Sequence, residues 1–180
     1  MRLMIASDIH GSAHYCRELL AAYEREQADK LVLLGDILYH GPRNDLPAEY
    51  APKQVIAMLN PMAEKLLCVR GNCDTEVDQM VLDFPVLADY AVIFDGEHTL
   101  YLTHGHVYSP EHPIKGCQGG ILLGGHTHVP TVVEKEDFVY LNPGSVSIPK
   151  ENSPHGYLMW EDGTFIWKDL AGKEYKRYSL

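Results

Sequence analysis

The chain is short of cations. Only 15 Lys and Arg stand against 25 Asp and Glu, a formal net charge of −10 over 180 residues. Tight binding of long nucleic acid draws on many cationic contacts to phosphates, so this balance argues against such a partner. It leaves room for a small phosphate ester, because bound metal ions reverse the sign of the local field. Long apolar runs are missing too: nothing approaches the ~20 residues of a membrane span. The four cysteines, Cys16, Cys68, Cys73 and Cys117, contain no Cys-x-x-Cys pair, which argues against a zinc ribbon or a dithiol redox motif. No signal peptide is visible, since Met1 to Ala6 read directly into a strand. No repeat, low-complexity tract or linker divides the chain. The expectation is one domain over residues 1–180, soluble, in a reducing cytoplasm, with no membrane partner and length enough to bury a real core.

What the chain does have is five short blocks, each following an apolar run: Ser7-Asp8-Ile9-His10-Gly11, Leu34-Gly35-Asp36, Arg70-Gly71-Asn72-Cys73-Asp74, Thr103-His104-Gly105-His106 and Gly124-Gly125-His126-Thr127-His128. They gather aspartate and asparagine oxygens and histidine nitrogens where strands should end in loops. That ligand mix suits two adjacent divalent metals such as Mn, Fe, Co, Ni or Zn. Two such cations a few ångströms apart are a device for attacking phosphate esters. In Asp8-Ile9-His10 and His126-Thr127-His128 the outer residues are two apart. On an extended strand end they would point the same way, with Ile9 turned to the opposite face.

The surrounding pattern sets the fold class. Arg2–Ala6, Lys30–Leu34 and Leu66–Val69 read as buried strands. Between the first two lies a helix capped by Ser12, with Cys16, Leu19, Leu20 and Tyr23 at helical spacing. Between the second and third lies a helix opened by Pro52, with Val55, Ile56 and Leu59 on its inner face. This β-α-β-α-β order implies parallel strands with helical crossovers. The second half carries hairpin signals around Asp95-Gly96, between Thr131–Glu134 and Phe138–Leu141, and around Asp162-Gly163, with a short strand at Ile121–Leu123. Mostly antiparallel pairing is expected there. The whole reads as α/β, with two sheets face to face and helices outside. The tail Gly172–Leu180 is either a last edge strand or a loose end.

At these blocks the sequence resembles the calcineurin-like metallophosphoesterase superfamily, whose pattern is Asp-x-His, Gly-Asp, Gly-Asn-His-(Asp/Glu), His and Gly-His-x-His. Order and spacing match from Asp8 to Asn142-Pro143-Gly144-Ser145. The closer likeness is to phosphodiesterases of this family, through His40-Gly41-Pro42-Arg43-Asn44, Arg70-Gly71-Asn72-Cys73-Asp74 and Asn142 to Lys150. The resemblance implies a four-layer α-β-β-α sandwich of two mixed sheets. It implies a first metal held by Asp8, His10, Asp36 and His128, and a second held by Asp36, Asn72, His104 and His126, with Asp36 bridging. Manganese is the metal it favours, with Ni, Co, Zn or Fe as alternatives. The reaction it implies is attack on a small phosphodiester by a hydroxide bridging the two metals. The residues expected to carry the chemistry are Asp36, Asn72, Cys73, His104 and His106.

Cys73 departs from the pattern, because the superfamily commonly places a histidine there to contact phosphate or protonate the leaving group. A thiol donates weakly, so good leaving groups such as aryl esters should be favoured; Cys73 as a small space-filler is the other reading. His106 either faces the pocket or is a polar loop residue. Arg43 either binds a substrate phosphate or is a surface cation. Arg70 lies beside a ligand loop and either serves the site or pairs with an acid, while Asp74 is expected to orient a group behind the ligands rather than bind metal. His14, His40, His98, His112 and His155 match no motif, and Cys16, Cys68 and Cys117 read as core residues. A phosphomonoesterase or nucleotidase on the same site, a nuclease, and a non-catalytic scaffold of the same fold are the rival readings. A homo-oligomer, dimer or tetramer, is compatible with the apolar hairpins.

Overall fold

The computed structural model describes residues 1–180. Its first sheet grows from β1 (Leu3–Ala6), β2 (Lys30–Leu33) and β3 (Leu66–Cys68), parallel in the expected order, with Ile5 opposite Val32 and Val32 opposite Leu67. The run Leu-Met-Ile-Ala of β1 is wholly buried because both faces of the strand are covered. Met4 and Ala6 meet the helices, and Leu3 and Ile5 meet the other sheet.

Helix α1 (Ala13–Glu26) begins as expected at Ser12, whose hydroxyl oxygen accepts the Tyr15 N–H at 3.2 Å. It buries Cys16, Leu19, Ala22 and Tyr23; Leu20 is only half-buried. Helix α2 (Pro52–Leu59) starts at its proline and buries Val55 and Leu59. Both pack on the outer face of the first sheet, and a 3-10 segment (Asn60–Lys65) leads from α2 into β3. A four-residue helix α3 (Glu76–Gln79), which the sequence pattern did not announce, follows the Asn72 loop and opens with a capping box between Thr75 and Asp78.

The second sheet has the order β4-β5-β6-β8-β7, with β4 (Ala91–Asp95), β5 (His98–Leu102), β6 (Ile121–Leu123), β7 (Thr131–Glu134) and β8 (Val139–Asn142). Two expected hairpins, β4–β5 and β7–β8, form its edges. Its central pairs, β5–β6 and β6–β8, are parallel, which corrects the expectation of mostly antiparallel pairing. The third hairpin, β9 (Gly156–Glu161) with β10 (Thr164–Asp169), turns through Asp162 and Gly163, both at positive φ. It joins β1 in the first sheet rather than the second. A hairpin signal fixes how two strands pair with each other but not where the pair docks. The tail is an edge strand, β11 (Glu174–Ser179), paired with β10. Its charged residues Glu174, Lys176 and Arg177 suit an exposed edge.

Between the sheets lies a core of Leu3, Ile5, Val32, Leu100, Leu102 and Leu123, closed by Trp160 and Trp167. On the outer face of the second sheet Ile114 sits on Leu122 and Tyr140. There the covering layer is the non-helical segment 103–120 rather than a helix. All five motif blocks follow the C-terminal ends of β1, β2, β3, β5 and β6, so the two sheets deliver them to one edge of the sandwich.

Candidate metal centre

The backbone that carries these blocks is not extended. Asp8, His10, Asp36, His126 and His128 all have positive φ, between 49° and 67°. This corrects the strand-end reading of the Asp-x-His and His-x-His spacing. The left-handed conformation costs a non-glycine residue about 1–2 kcal/mol, so the surroundings must hold it. For the first loop that hold is explicit. Asp8 N–H donates to Gly35 O at 3.1 Å, His10 N–H to Asp36 O at 2.9 Å and Gly11 N–H to Ile37 O at 2.8 Å, continuing the β1–β2 pairing past both strands. Ile9 is buried in the helix-side core, which anchors the turn between the two candidate ligands.

Three histidines are locked by the same device. The Nδ1 atoms of His10, His104 and His128 lie 2.8, 2.7 and 2.6 Å from the carbonyl oxygens of Tyr39, Leu34 and Ile148. A carbonyl only accepts, so each Nδ1 carries the proton and each neutral ring presents a lone pair at Nε2. Those Nε2 atoms converge. His10 and His128 face each other at 3.3 Å, and both stand beside Asp8 Oδ1, at 3.4 and 3.2 Å. His104 Nε2 lies 3.1 Å from Asn72 Oδ1. Asp36 stands between the two groups, with Oδ2 3.6 Å from His10 and 3.4 Å from His104. Its other oxygen accepts the Cys73 N–H at 2.8 Å.

Electrostatically the cluster lacks a cation. Asp8 Oδ1 is buried without a hydrogen-bond partner, and no Lys or Arg reaches either carboxylate. Burial pulls the His104 pKa down, but the Asp36 and Asp8 carboxylates outweigh it and raise it to about 9. Burial likewise opposes ionisation of Asp8, and its contacts with His10 and His128 override this, leaving it well below the usual carboxylate range. In the chain alone, protons therefore do the work of positive charge. Facing lone pairs, an orphaned carboxylate oxygen and a carboxylate between two groups are the donor set that a pair of divalent cations requires.

The calcineurin-like phosphoesterase superfamily domain matches residues 1–162. The chain belongs to that superfamily. Over 162 residues, 90% of this chain and 88% of the relative, it is 46% identical to phosphodiesterase YfcE of Escherichia coli K12. The solved structure of that E. coli phosphoesterase superposes with a TM-score of 0.95 at 42% identity, covering 99% of both chains. Wild-type Vps29 of Entamoeba histolytica, solved with zinc, superposes with a TM-score of 0.65 at 19% identity, covering 99% of both chains, a likeness of fold alone.

Within the superfamily pattern, two positions here carry particular weight. Asp74 is buried, and its carboxylate accepts N–H groups from Asp36 (2.8 Å), Ile37 (2.9 Å) and Gly71 (2.7 Å). It ties the Asp36 loop to the Asn72 loop, the orienting role expected of it. A Cβ at Gly71 would collide with the Asp36 carboxylate, so no other residue fits there without moving Asp36. Cys73 is buried against the same loop, with Sγ 3.2 Å from Asn72 Nδ2. Burial and then the Asp36 charge push its pKa up to about 12, so it is an uncharged thiol at neutral pH.

His126 is half-exposed, its ring 5.1 Å from that of His104 and its N–H donating to Asp8 Oδ2 at 3.2 Å. His106 is exposed beside them, 5.3 Å from the His104 ring. Burial and the nearby His104 lower its pKa. Arg43 lines a cavity of about 430 Å³ over the centre, and Arg70 lies outside that lining. His14, His40, His98, His112 and His155 stand away from the cluster. His155, for example, stacks on Tyr15 at 3.9 Å.

The segment after β8 holds residues to which the sequence alone assigned no task. Ser145 and Ser147 both donate hydroxyl hydrogens to Asp8 O at 3.0 Å, fixing the first loop from behind. Asn142 Nδ2 donates to Gly125 O at 2.6 Å and Thr127 Oγ1 at 3.1 Å, bracing the His-x-His turn. Their signal was the run Asn-Pro-Gly-Ser-Val-Ser, small hydroxyl-bearing residues just past a buried strand. Lys150 lines the cavity from the end of the same segment.

Proposed function

We propose that this protein hydrolyses small phosphodiesters at two divalent cations, one held by Asp8, His10, Asp36 and His128 and the other by Asp36, Asn72, His104 and His126. The observation that carries the reading is the convergence of three Nδ1-locked histidine Nε2 atoms on two carboxylates that no Lys or Arg neutralises. The 46% identity to a protein named a phosphodiesterase supports the diester as substrate. When bound, two such cations lower the pKa of a water toward neutrality and offset the charge that builds on the phosphate.

This chain's residues arrange the rest. Asp36 faces both ligand groups, and its position is set by Asp74 and by the Cys73 N–H. Asn72 offers a neutral oxygen, which leaves the second position more electrophilic than a third carboxylate would. The Cys73 thiol stands where the superfamily commonly places a histidine, and as a weak donor it protonates a leaving group poorly. The favoured substrates are therefore diesters with good leaving groups, aryl esters among them. His106, exposed beside His104, is the proposed hydrogen-bonding partner of the substrate. Manganese is the proposed metal, the cytoplasm the proposed setting, and a dimer or tetramer the proposed assembly.

The test is hydrolysis of an aryl phosphodiester and the matching monoester by metal-stripped protein, with Mn, Ni, Co, Zn or Mg returned singly. Metal-dependent turnover that favours the diester is expected. Faster monoester turnover would move the protein to the phosphatases. Silence with two metals bound would favour a scaffold role.

A further inference from the structure

We propose that the cavity over the metal centre selects phosphodiesters that carry a second anionic group, which Arg43 and Lys150 hold. This rests on the phosphodiesterase reading and narrows its substrate class.

The cavity lining contains no Leu, Ile, Val, Phe, Tyr or Trp, so it offers no apolar bed for an acyl chain, and its only aromatic rings are the imidazoles of the candidate ligands His10, His126 and His128. Beyond the candidate ligands and the small Gly41, Pro42 and Cys73 it offers amide, hydroxyl and cation: Asn44, Thr127, Arg43 and Lys150. The two cations come from different sheets, Arg43 from the loop after β2 and Lys150 from the loop after β8. Elsewhere Arg2, Arg17, Lys168 and Arg177 find carboxylates within 4 Å. Arg43 and Lys150 find none, although the chain has a net charge of −10. Other surface cations are also unpaired, but these two line the cavity.

Their backbones are fixed even though the side chains reach solvent. Asn44 N–H donates to Gly41 O at 3.4 Å, and Asn44 Nδ2 donates to His40 O at 2.8 Å, so Arg43 rides a tight turn. That turn packs on Cys73, whose Sγ lies 3.3 Å from where a Cβ on Gly41 would be. Lys150 N–H donates to His128 O at 3.1 Å, and Ser153 holds the Lys150 carbonyl with both its N–H (3.0 Å) and its hydroxyl (2.6 Å). An anion bound there meets side chains carried on fixed backbone, so only the side chains remain to be ordered.

The charge count points the same way. Two divalent cations are balanced by the carboxylates Asp8 and Asp36, the hydroxide nucleophile and the single negative charge of a phosphodiester. Arg43 and Lys150 are then the positive excess, and a substrate with a second anion uses it. The Arg43 fork can donate to a carboxylate or phosphonate in bidentate fashion, while Lys150 acts as a point charge.

The experiment compares three p-nitrophenyl diesters with one leaving group and different second arms: ethyl, 2-carboxyethyl and 2-phosphonoethyl. With Mn-loaded protein, kcat/KM should favour the anionic arms by about fivefold or more, the phosphonate most, as expected for two exposed ion pairs. The preference should shrink in 0.5 M NaCl, where exposed pairs are screened. Arg43→Gln and Lys150→Gln should each lower the ratio, and the double variant should bring it near one. A wild-type ratio at or below one, or a ratio that survives in the double variant, overturns the proposal while leaving the phosphodiesterase reading intact.

If no ester is hydrolysed, the phosphodiesterase reading fails instead, and binding still decides the role of the two cations. Calorimetry with 3-phosphonopropionate and propylphosphonate should then show tighter binding of the former, reduced in the double variant. Equal affinities overturn the assignment.

Discussion

Two buried charge clusters sit in this molecule and answer the same problem in opposite ways. At one end of α1, Glu26 is buried among Tyr157, Lys168 and Arg2. Its Oε1 accepts from the Tyr157 hydroxyl and the Lys168 ammonium, each at 2.8 Å, and its Oε2 accepts from Lys168 at 2.8 Å and Arg2 at 3.2 Å. Every lone pair there has a permanent cation or hydroxyl. At the other end Asp8 and Asp36 have no chargeable partner but histidine, with one oxygen left over. A carboxylate completed by Lys and Arg is part of the fold. A carboxylate completed by histidines, whose charge a proton or a metal can supply, is a place for a ligand.

The comparison is broken most severely by Asp36→Ala. Losing a group that merely supports a ligand costs about 10–100-fold in metal affinity or activity. Losing the carboxylate proposed to serve both metal positions should cost at least about 1000-fold in phosphodiesterase activity, together with bound metal. Turnover and metal content measured on the same sample check this.

Glu26→Gln attacks the other cluster. Lys168 would keep its charge with no carboxylate opposite, a destabilisation of about 3 kcal/mol. Denaturant unfolding should register that loss while kcat/KM of the folded protein stays at the wild-type value. A fall in activity without a fall in stability would mean that the two clusters are not separate.

Their pH responses should also be opposite. The His104 pKa is raised from 6.5 to about 9 in the folded chain without metal. Its stabilisation is therefore complete below about pH 6.5 and is lost as pH rises through 9, on the order of 3 kcal/mol before other groups are counted. Glu26 is the reverse case. Burial raises its pKa, but Lys168 and Tyr157 outweigh burial and lower it from 4.5. Its stabilisation is present above about pH 4.5 and is lost as pH falls. Metal binding must displace the His104 proton, so it tightens as pH rises. Thermal melts with and without Mn should show the gap between loaded and metal-free protein widening from pH 6 to pH 9.

The smallest effect is the most local. Cys73→His places a better proton donor beside the site and should raise turnover of diesters with poor leaving groups by about tenfold, with little gain on aryl esters. An equal gain on both would assign the residue to phosphate binding instead.

The legibility of the molecule follows the same division between local and distant. The seven candidate ligands were readable because each lies in a short motif after an apolar run, and the capping Ser12 and the Pro52 helix start were readable for the same reason. Asp74 was readable only as a neighbour, and its three N–H contacts explain why an acid stands there. The left-handed turns at Asp8, His10, Asp36, His126 and His128 left no trace in the sequence, because these residues carry Cβ atoms and the conformation is imposed by the flanking sheets. The docking of β9–β10 against β1 was hidden because it joins residues about 150 apart. The partnership of Ser145 and Ser147 with the Asp8 carbonyl was hidden for the same reason.

The central claim is that the histidine-faced carboxylates form a site for two cations. Calorimetric titration of Mn into metal-stripped protein near pH 7, repeated in buffers of different ionisation enthalpy, tests it most directly. The account predicts two cations per chain, release of the His104 proton on binding, and loss of at least one cation in Asp36→Ala. Binding of no cation or of only one, or binding of two with no proton released, would contradict it.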